Sequence, residues 1–337
     1  MTKKLIIAGA ALALISSCTM KNPLLTESSA PFGAPEFDKI RNEHYLPAFQ
    51  AAIAEAKAEI DAIVANPDEP TFENTIEAME YSGGALNKVA NIFYNLMEAN
   101  TNDELQQIAE EISPMMTEFS MYVSLNPVLF ERVKAVYEKK DELGLAKDQM
   151  TLLEDSYKGF VRGGANLSDE DKALYSKWSE ELSLTTLQFS KNVLAATNAY
   201  VLNITDEADL AGLPEFVRTM AAETAAEKGL EGWAFTLDAP SYSPFLKYSE
   251  NRELRKQIWT AYNTRAIGGE FDNTEIVKKI VDLFQLQCLT HHIDEQDAGK
   301  LILGIFLVDG VAGAFVPCIL DQAISRFGLC IFGFGDR

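Results

Sequence analysis

Three histidines and four cysteines are the side chains with which this 337-residue chain could hold a transition metal or a covalent group. Metal-assisted hydrolysis asks for two imidazoles four positions apart on one helix face. A glutamate beside the first then draws a proton from the metal-bound water. His44 has Ala48 where the second imidazole belongs, and alanine binds no metal. His291 and His292 are adjacent, so on a helix they point in different directions, and the positions one turn on hold Glu295 and Gln296. Cys288 with His291 and His292 makes at most half of an adventitious site, because Cys318 and Cys330 stand too far apart to add a close second pair. No catalytic and no metal-ligating residue is assigned, and His44 reads as a surface or helix-start residue.

Other chemistries fare no better. Glu73 with Glu77, and Glu110 with Glu111, are spaced as capped and solvated helix faces, and pairs arise by chance among 50 acidic residues. The sequence carries no Gly-x-Ser-x-Gly elbow, no Walker loop and no Gly-x-Gly-x-x-Gly fingerprint. Tyr242, Tyr248, Trp259 and Tyr262 could line a channel for peptides, although their helical spacing reads first as core. With 29 basic residues the formal charge is −21, which repels nucleic acid and anionic membrane surfaces alike. No pattern in the chain bears on oligomeric state.

Cys18 is the exception, the residue whose surroundings point to a covalent group. Lys3 and Lys4 precede an apolar run from Leu5 to Ile15 that is too short to span a bilayer. Ile15-Ser16-Ser17-Cys18 then resembles a lipobox, whose small residues suit a narrow protease cleft and whose thiol receives a diacylglyceryl group. Each buried methylene contributes about 0.8 kcal/mol, so two or three acyl chains would hold the protein on a membrane. The expectation is an exported bacterial lipoprotein, periplasmic or outer-membrane-associated, whose contact with lipid runs through that anchor. No cysteine lies between 19 and 287, so the body is expected to stand on its core without disulfides.

The elements that must position everything else are helices. Residues 19–43 are rich in Pro, Ser and Gly and read as a tether. Residues 45–65 place Leu46, Phe49, Ile53, Ile60 and Val64 on one stripe. Asn74 with Glu77, and Thr101 with Glu104, read as capping boxes, and Asn126-Pro127 as an N-cap followed by proline at the first helical position. A shorter helix over 147–162 is broken by Gly163-Gly164. Ser168 and Asp171 open a long one that is expected to bury Leu174, Trp178, Leu182, Phe189 and Val193. Two short β runs, 200–205 and 233–238, flank a helix over 214–228, and helices over 250–266 and 272–287 follow. The fold class is mainly α, with at most one small β pair and no internal repeat.

Within that frame run PFGAPEFDKIRNEHYLPAF (31–49), PTFENTI (70–76), TNDELQ (101–106), YKGFVRGGANLSDEDKALY (157–175), LAGLPE (210–215), LDAPSYSPFLKYSENRELRK (237–256) and GGEFDNTEIVKKIVDL (268–283). In order and spacing they resemble the N-terminal half of the M3 family of zinc oligopeptidases, in its bacterial peptidyl-dipeptidase and oligopeptidase A branch. The resemblance implies helical layers forming one wall of a deep channel. It also implies a parent activity that trims short peptides from the C-terminal end, with one zinc held by His-Glu-x-x-His and a later glutamate. That motif lies downstream of the matched region in the family and occurs nowhere in these 337 residues. The chain is therefore expected to bind no catalytic zinc and to be inactive as it stands.

Four regions result: a lipoprotein signal peptide (1–18), the tether (19–43), the M3-like helical region (44–284) and a tail (285–337) of different composition. Cysteine, histidine and glycine crowd that tail, the change a shifted reading frame produces; a separate domain is the alternative. Within it, Leu301–Leu320 is apolar but carries Asp309, three glycines and Pro317, which argues against a membrane span. The competing functional reading is a non-catalytic helical lipoprotein that binds peptides or glycans at the cell surface.

Overall fold

The computed structural model of the chain describes residues 22–291, with side chains described through residue 287. Cys18, the tail beyond residue 287 and its candidate ligands Cys288, His291, His292, Cys318 and Cys330 therefore lie outside the described side chains. The first helices are α1 (Tyr45–Val64), α2 (Ala78–Glu80), α3 (Gly84–Ala99), α4 (Asp103–Ser124), α5 (Pro127–Glu138), α6 (Lys147–Arg162) and α7 (Asp169–Ala199). Strand β1 (Leu202–Ile204), α8 (Glu215–Glu227), strand β2 (Trp233–Phe235), α9 (Ala239–Tyr248), α10 (Arg252–Asn263) and α11 (Thr274–His291) follow. The mainly helical expectation holds, as does the small β pair. Among the described residues, no helix is long and apolar enough to cross a membrane.

Helix α1 packs against both α3 and α4, α4 packs against α7, and α7 against α11. The stripe on α1 is broader than its large residues suggest. Ala48, Ala52 and Ala56 are buried beside Phe49 and Ile53, and Tyr45 is buried at the start, whereas Leu46 and Val64 are only partly covered. Alanines at steps of four let a neighbouring helix approach closely, which a search for bulky residues overlooks. Phe93 of α3 sits at the centre of an aromatic group, its ring 5.1 Å from Tyr45, 5.5 Å from Phe49 and 5.3 Å from Tyr94, each edge to face.

A second core joins the end of α1 to α5 and α6, and its joint is polar. A π-helical turn, Phe72–Glu77, precedes α2. Thr71 is its cap: the Thr71 hydroxyl accepts from the Asn74 N–H, and Asn74 Oδ1 accepts from the Thr71 N–H at 2.9 Å. Asn74 is thus the third residue of that box, not the cap expected from the sequence. Arg132, buried on α5, donates to the carbonyls of Asn66 (2.9 Å) and Asp68 (3.3 Å) and to Asn74 Oδ1 (3.1 Å). The cap of helix α4 is also displaced, by one residue in the opposite direction. Asn102, one place beyond Thr101, accepts from the Leu105 N–H at 2.9 Å, while Glu104 accepts from the Asn42 side chain.

Several sequence expectations stand. Asn126 accepts from the N–H groups of Val128 and Leu129, and Ser168 caps α7. Strand β1 pairs antiparallel with β2, Leu202 opposite Phe235 and Ile204 opposite Trp233, over the core formed by α8, α9 and α10. Gly232, at φ +86, lets the Ile204 carbonyl approach to where a Cβ would be 2.2 Å away. On α7, Phe189 is buried and Leu182 and Val193 are partly so. Leu174, expected inside, is exposed, while Trp178 one turn on is partly covered.

From Asn22 onward, the stretch expected as a tether lies against the body. Its Pro23–Leu25 turn packs on α1 and α3, and Leu24 is 1% exposed within their core. Truncating Phe93 to alanine removes the ring on which three aromatics converge and should cost about 3–5 kcal/mol. Leu174→Ala, at an exposed position, should stay within about 0.5 kcal/mol. Urea unfolding of both variants beside the parent checks the pair; equal effects would mean the two positions share one environment.

Candidate functional site

Wherever the chain carries its recognisable segments, polar side chains fasten helix ends. The Leu210–Glu215 segment turns at Gly212, whose φ is +82 and where a Cβ would lie 2.3 Å from the Tyr248 carbonyl. Only glycine permits that approach. The Glu250 N–H then donates to the Ala211 carbonyl (2.9 Å), and Asn251 Nδ2 donates to Asp209 (2.8 Å). Asn251 Oδ1 also accepts the N–H groups of Glu253 and Leu254, capping α10. Arg255 donates to the Ser249 carbonyl and closes the joint.

The Gly268–Thr274 segment does the same for α11. Asn273 is fully buried, donates to the Phe189 carbonyl (3.0 Å) and accepts from the Asn192 amide (2.8 Å) on α7. Asp272 accepts from the Thr274 hydroxyl (2.6 Å), the Gly268 N–H (2.9 Å) and the Thr274 N–H (3.0 Å). The Thr274 hydroxyl first, then those two amides, hold its carboxyl below the usual aspartate range.

The four aromatics named from the sequence divide. Tyr242 and Tyr262 stack with ring centroids 4.1 Å apart and are half-buried against the α8–α10 core, as helical spacing suggests. The Arg265 guanidinium lies 3.8 Å over the Tyr262 ring and donates to the Tyr262 carbonyl. Desolvation raises the Tyr242 hydroxyl. Trp259 is exposed and Tyr248 partly so, with the Lys247 ammonium 5.1 Å over the latter ring. These two could contact a ligand; the stacked pair serves the core.

Among the described residues, the candidate groups for hydrolytic chemistry stand apart. His44 occupies a 3₁₀ turn before α1, its Nδ1 accepting from the Arg41 N–H at 2.9 Å. Its Nε2 is 4.0 Å from a Glu43 carboxylate oxygen, and Ala48, one turn on, is buried. Glu110 is tied to Lys191 across the α4–α7 contact, while Glu73 and Glu111 face solvent. Among the described residues, no group of three His, Cys, Asp or Glu side chains could hold a metal ion. A groove of about 630 Å³ between α4 and α7 is lined by Pro114, Met115, Met121, Tyr122, Lys177 and Glu180 among others, a mixed and open surface without a nucleophile–base pair. Sequence reasoning missed the joint-making roles of Gly212, Asn251 and Asn273. The runs Leu210–Glu215, Ser249–Glu253 and Asp272–Thr274, each mixing Gly, Asn or Asp with a helix start, were the available signal.

The joint at Asp272 has a pH signature. Its carboxyl is depressed in the folded chain, so its contribution is present above the ordinary aspartate value of about 3.9 and fades as pH falls through the lowered one. Asp272→Ala should therefore lower stability at pH 7 and lose that penalty toward pH 3. Urea midpoints of parent and variant at both pH values check this; a penalty that persists unchanged in acid would contradict it.

No protein-family model matches the chain. Individual proteins do. The chain is 38% identical over 267 residues to the dipeptidyl carboxypeptidase of Escherichia coli K12, covering 79% of this chain and 39% of that protein. It is 38% identical over 307 residues to the dipeptidyl carboxypeptidase of Salmonella typhimurium, covering 90% and 45%. Oligopeptidase A of Escherichia coli K12 is 31% identical over 269 residues, covering 78% and 39%. The chain thus spans less than half the length of these relatives. The zinc that the family uses does not fit the described side chains, whose one histidine is engaged at the start of α1 with alanine in place of a partner. Identity at this level over most of the chain makes it a homologue of part of the dipeptidyl carboxypeptidases and oligopeptidases A, which are zinc peptidases of the M3 family.

Proposed function

We propose that this chain supplies the helical scaffold of an M3-type peptidyl-dipeptidase, exported and held at a membrane by a lipid on Cys18. In this reading its 337 residues carry no hydrolytic centre of their own. The carrying observation is the 38% identity to two dipeptidyl carboxypeptidases over 79% and 90% of the chain. Those names give the substrate class: short peptides, cut to release dipeptides from the C-terminal end. The residues that would be needed for metal chemistry are not in this sequence, since neither His44 nor the His291-His292 pair has a histidine four places on. Export and acylation rest on the Lys3-Lys4 start, the apolar run and Ile15-Ser16-Ser17-Cys18.

The role left to the described residues is shape. Helices fixed end to end by Asn102, Asn251 and Asn273 present a rigid surface, and exposed Trp259 and Tyr248 offer rings to an extended peptide. To test the reading, residues 19–337 are purified with excess zinc, assayed on blocked tri- and tetrapeptides, and analysed for bound metal. The expected result is no turnover and far less than one zinc per chain. Chelator-sensitive cleavage with stoichiometric zinc would sink the proposal. Tight, selective peptide or glycan binding without cleavage would instead favour a non-catalytic binding lipoprotein.

A further inference from the structure

The chain is fixed to the body four residues after Cys18. Leu24 is buried in the α1–α3–α4 core. Asn22 donates to the His44 carbonyl at 2.7 Å and accepts from the Leu24 N–H at 3.0 Å, and the Lys88 ammonium donates to the Thr26 carbonyl at 2.6 Å. Only Thr19, Met20 and Lys21 separate Cys18 from Asn22. That connection spans at most about 14 Å even when fully extended. An acyl group on Cys18 therefore leaves the body no freedom to stand away from the bilayer.

The surface beside this attachment is suited to lipid. Ser28–Pro35 contains no charged residue in a chain whose formal charge is −21. Phe32 is completely exposed and Phe37 half exposed. Phe32 also holds the left-handed conformation, φ 61, which an aromatic residue seldom adopts. The loop keeps its shape through the Ser28 hydroxyl donating to the Ala34 carbonyl (2.6 Å) and the Ser29 hydroxyl donating to Glu36 (3.0 Å). Lys39 pairs with that same carboxylate at 2.6 Å, while Glu27 and Asp38 flank the loop on either side. An apolar ring presented at a backbone cost, on an uncharged loop close to an acylation site, fits the headgroup–acyl boundary.

We propose that the Pro23–Leu25 turn and the Ser28–Phe37 loop form a bilayer-contacting face, with Phe32 and Phe37 seated at the lipid interface; this rests on the lipoprotein reading above. The test uses residues 18–337 with Cys288, Cys318 and Cys330 replaced by serine. Cys18 is coupled to a maleimide phospholipid in phosphatidylcholine vesicles with plain or brominated acyl chains. Phe32→Trp and Phe37→Trp are each compared with the parent, which has three tryptophans of its own. Brominated chains should quench the added indole about twofold more than the native ones, as interfacial burial requires. Emission of the added indole that is indifferent to bromine in both variants overturns the proposal, including a blue shift without quenching, which would mean that protein covers these rings. Because the lipid is attached chemically, this outcome is independent of acylation in cells, which the mass of the N-terminal peptide reads separately.

Discussion

Each α-helix begins with amide groups that its own turns leave without acceptors, and a body made almost wholly of helices must satisfy them at every joint. In this protein asparagine does much of that work. Asn102, Asn126 and Asn251 accept the first free amides of α4, α5 and α10. Asn74 supports the π-helical turn while taking a hydrogen bond from buried Arg132, and Asn273 binds the start of α11 to the middle of α7. Each side chain satisfies a helix start or a partner on another element, so capping and tertiary placement are achieved by the same few atoms. The apolar cores then fill the spaces that these joints define.

This explains why the segments shared with the peptidases are rich in Gly, Asn, Asp and Pro although they supply no reactive group here. They mark junctions. A junction combines a backbone conformation, a hydrogen-bond acceptor and a close approach at one place. Gly212 shows all of this in a single turn, admitting the Tyr248 carbonyl where any side chain would collide.

Much of the architecture was legible in the sequence. Helix periodicity, the Asn126-Pro127 start, the Gly163 stop and the pair of short strands follow from local rules, and the structure agrees with them. Two kinds of information were not local. The caps at Thr71 and Asn102 lie three residues and one residue from where the Ser/Thr/Asn–Glu pattern put them, because several polar residues in each run compete for the role. The burial of alanines on α1 and the exposure of Leu174 depend on which helix lies alongside, which periodicity does not state. For the site, the sequence placed His44 at a helix start, where the structure has it, with buried Ala48 one turn on. It placed Tyr242 and Tyr262 with the core but not against each other: their stacking beside Arg265 is a product of how α9 and α10 meet.

Helix α7 runs 31 residues, about 46 Å at 1.5 Å per residue, and is the rod to which both α4 and α11 are attached. Ser183, Leu187 and Lys191 serve the α4 side, while Glu181, Phe189 and Val193 serve the α11 side. The two sets interleave along one stretch, so neither neighbour can be shifted alone. Adding a single residue between them would rotate everything beyond by about 100° and exchange one set of contacts for the other. A change of length inside this rod would therefore disturb both packings at once, and the helix acts as a ruler for the elements on either side of it.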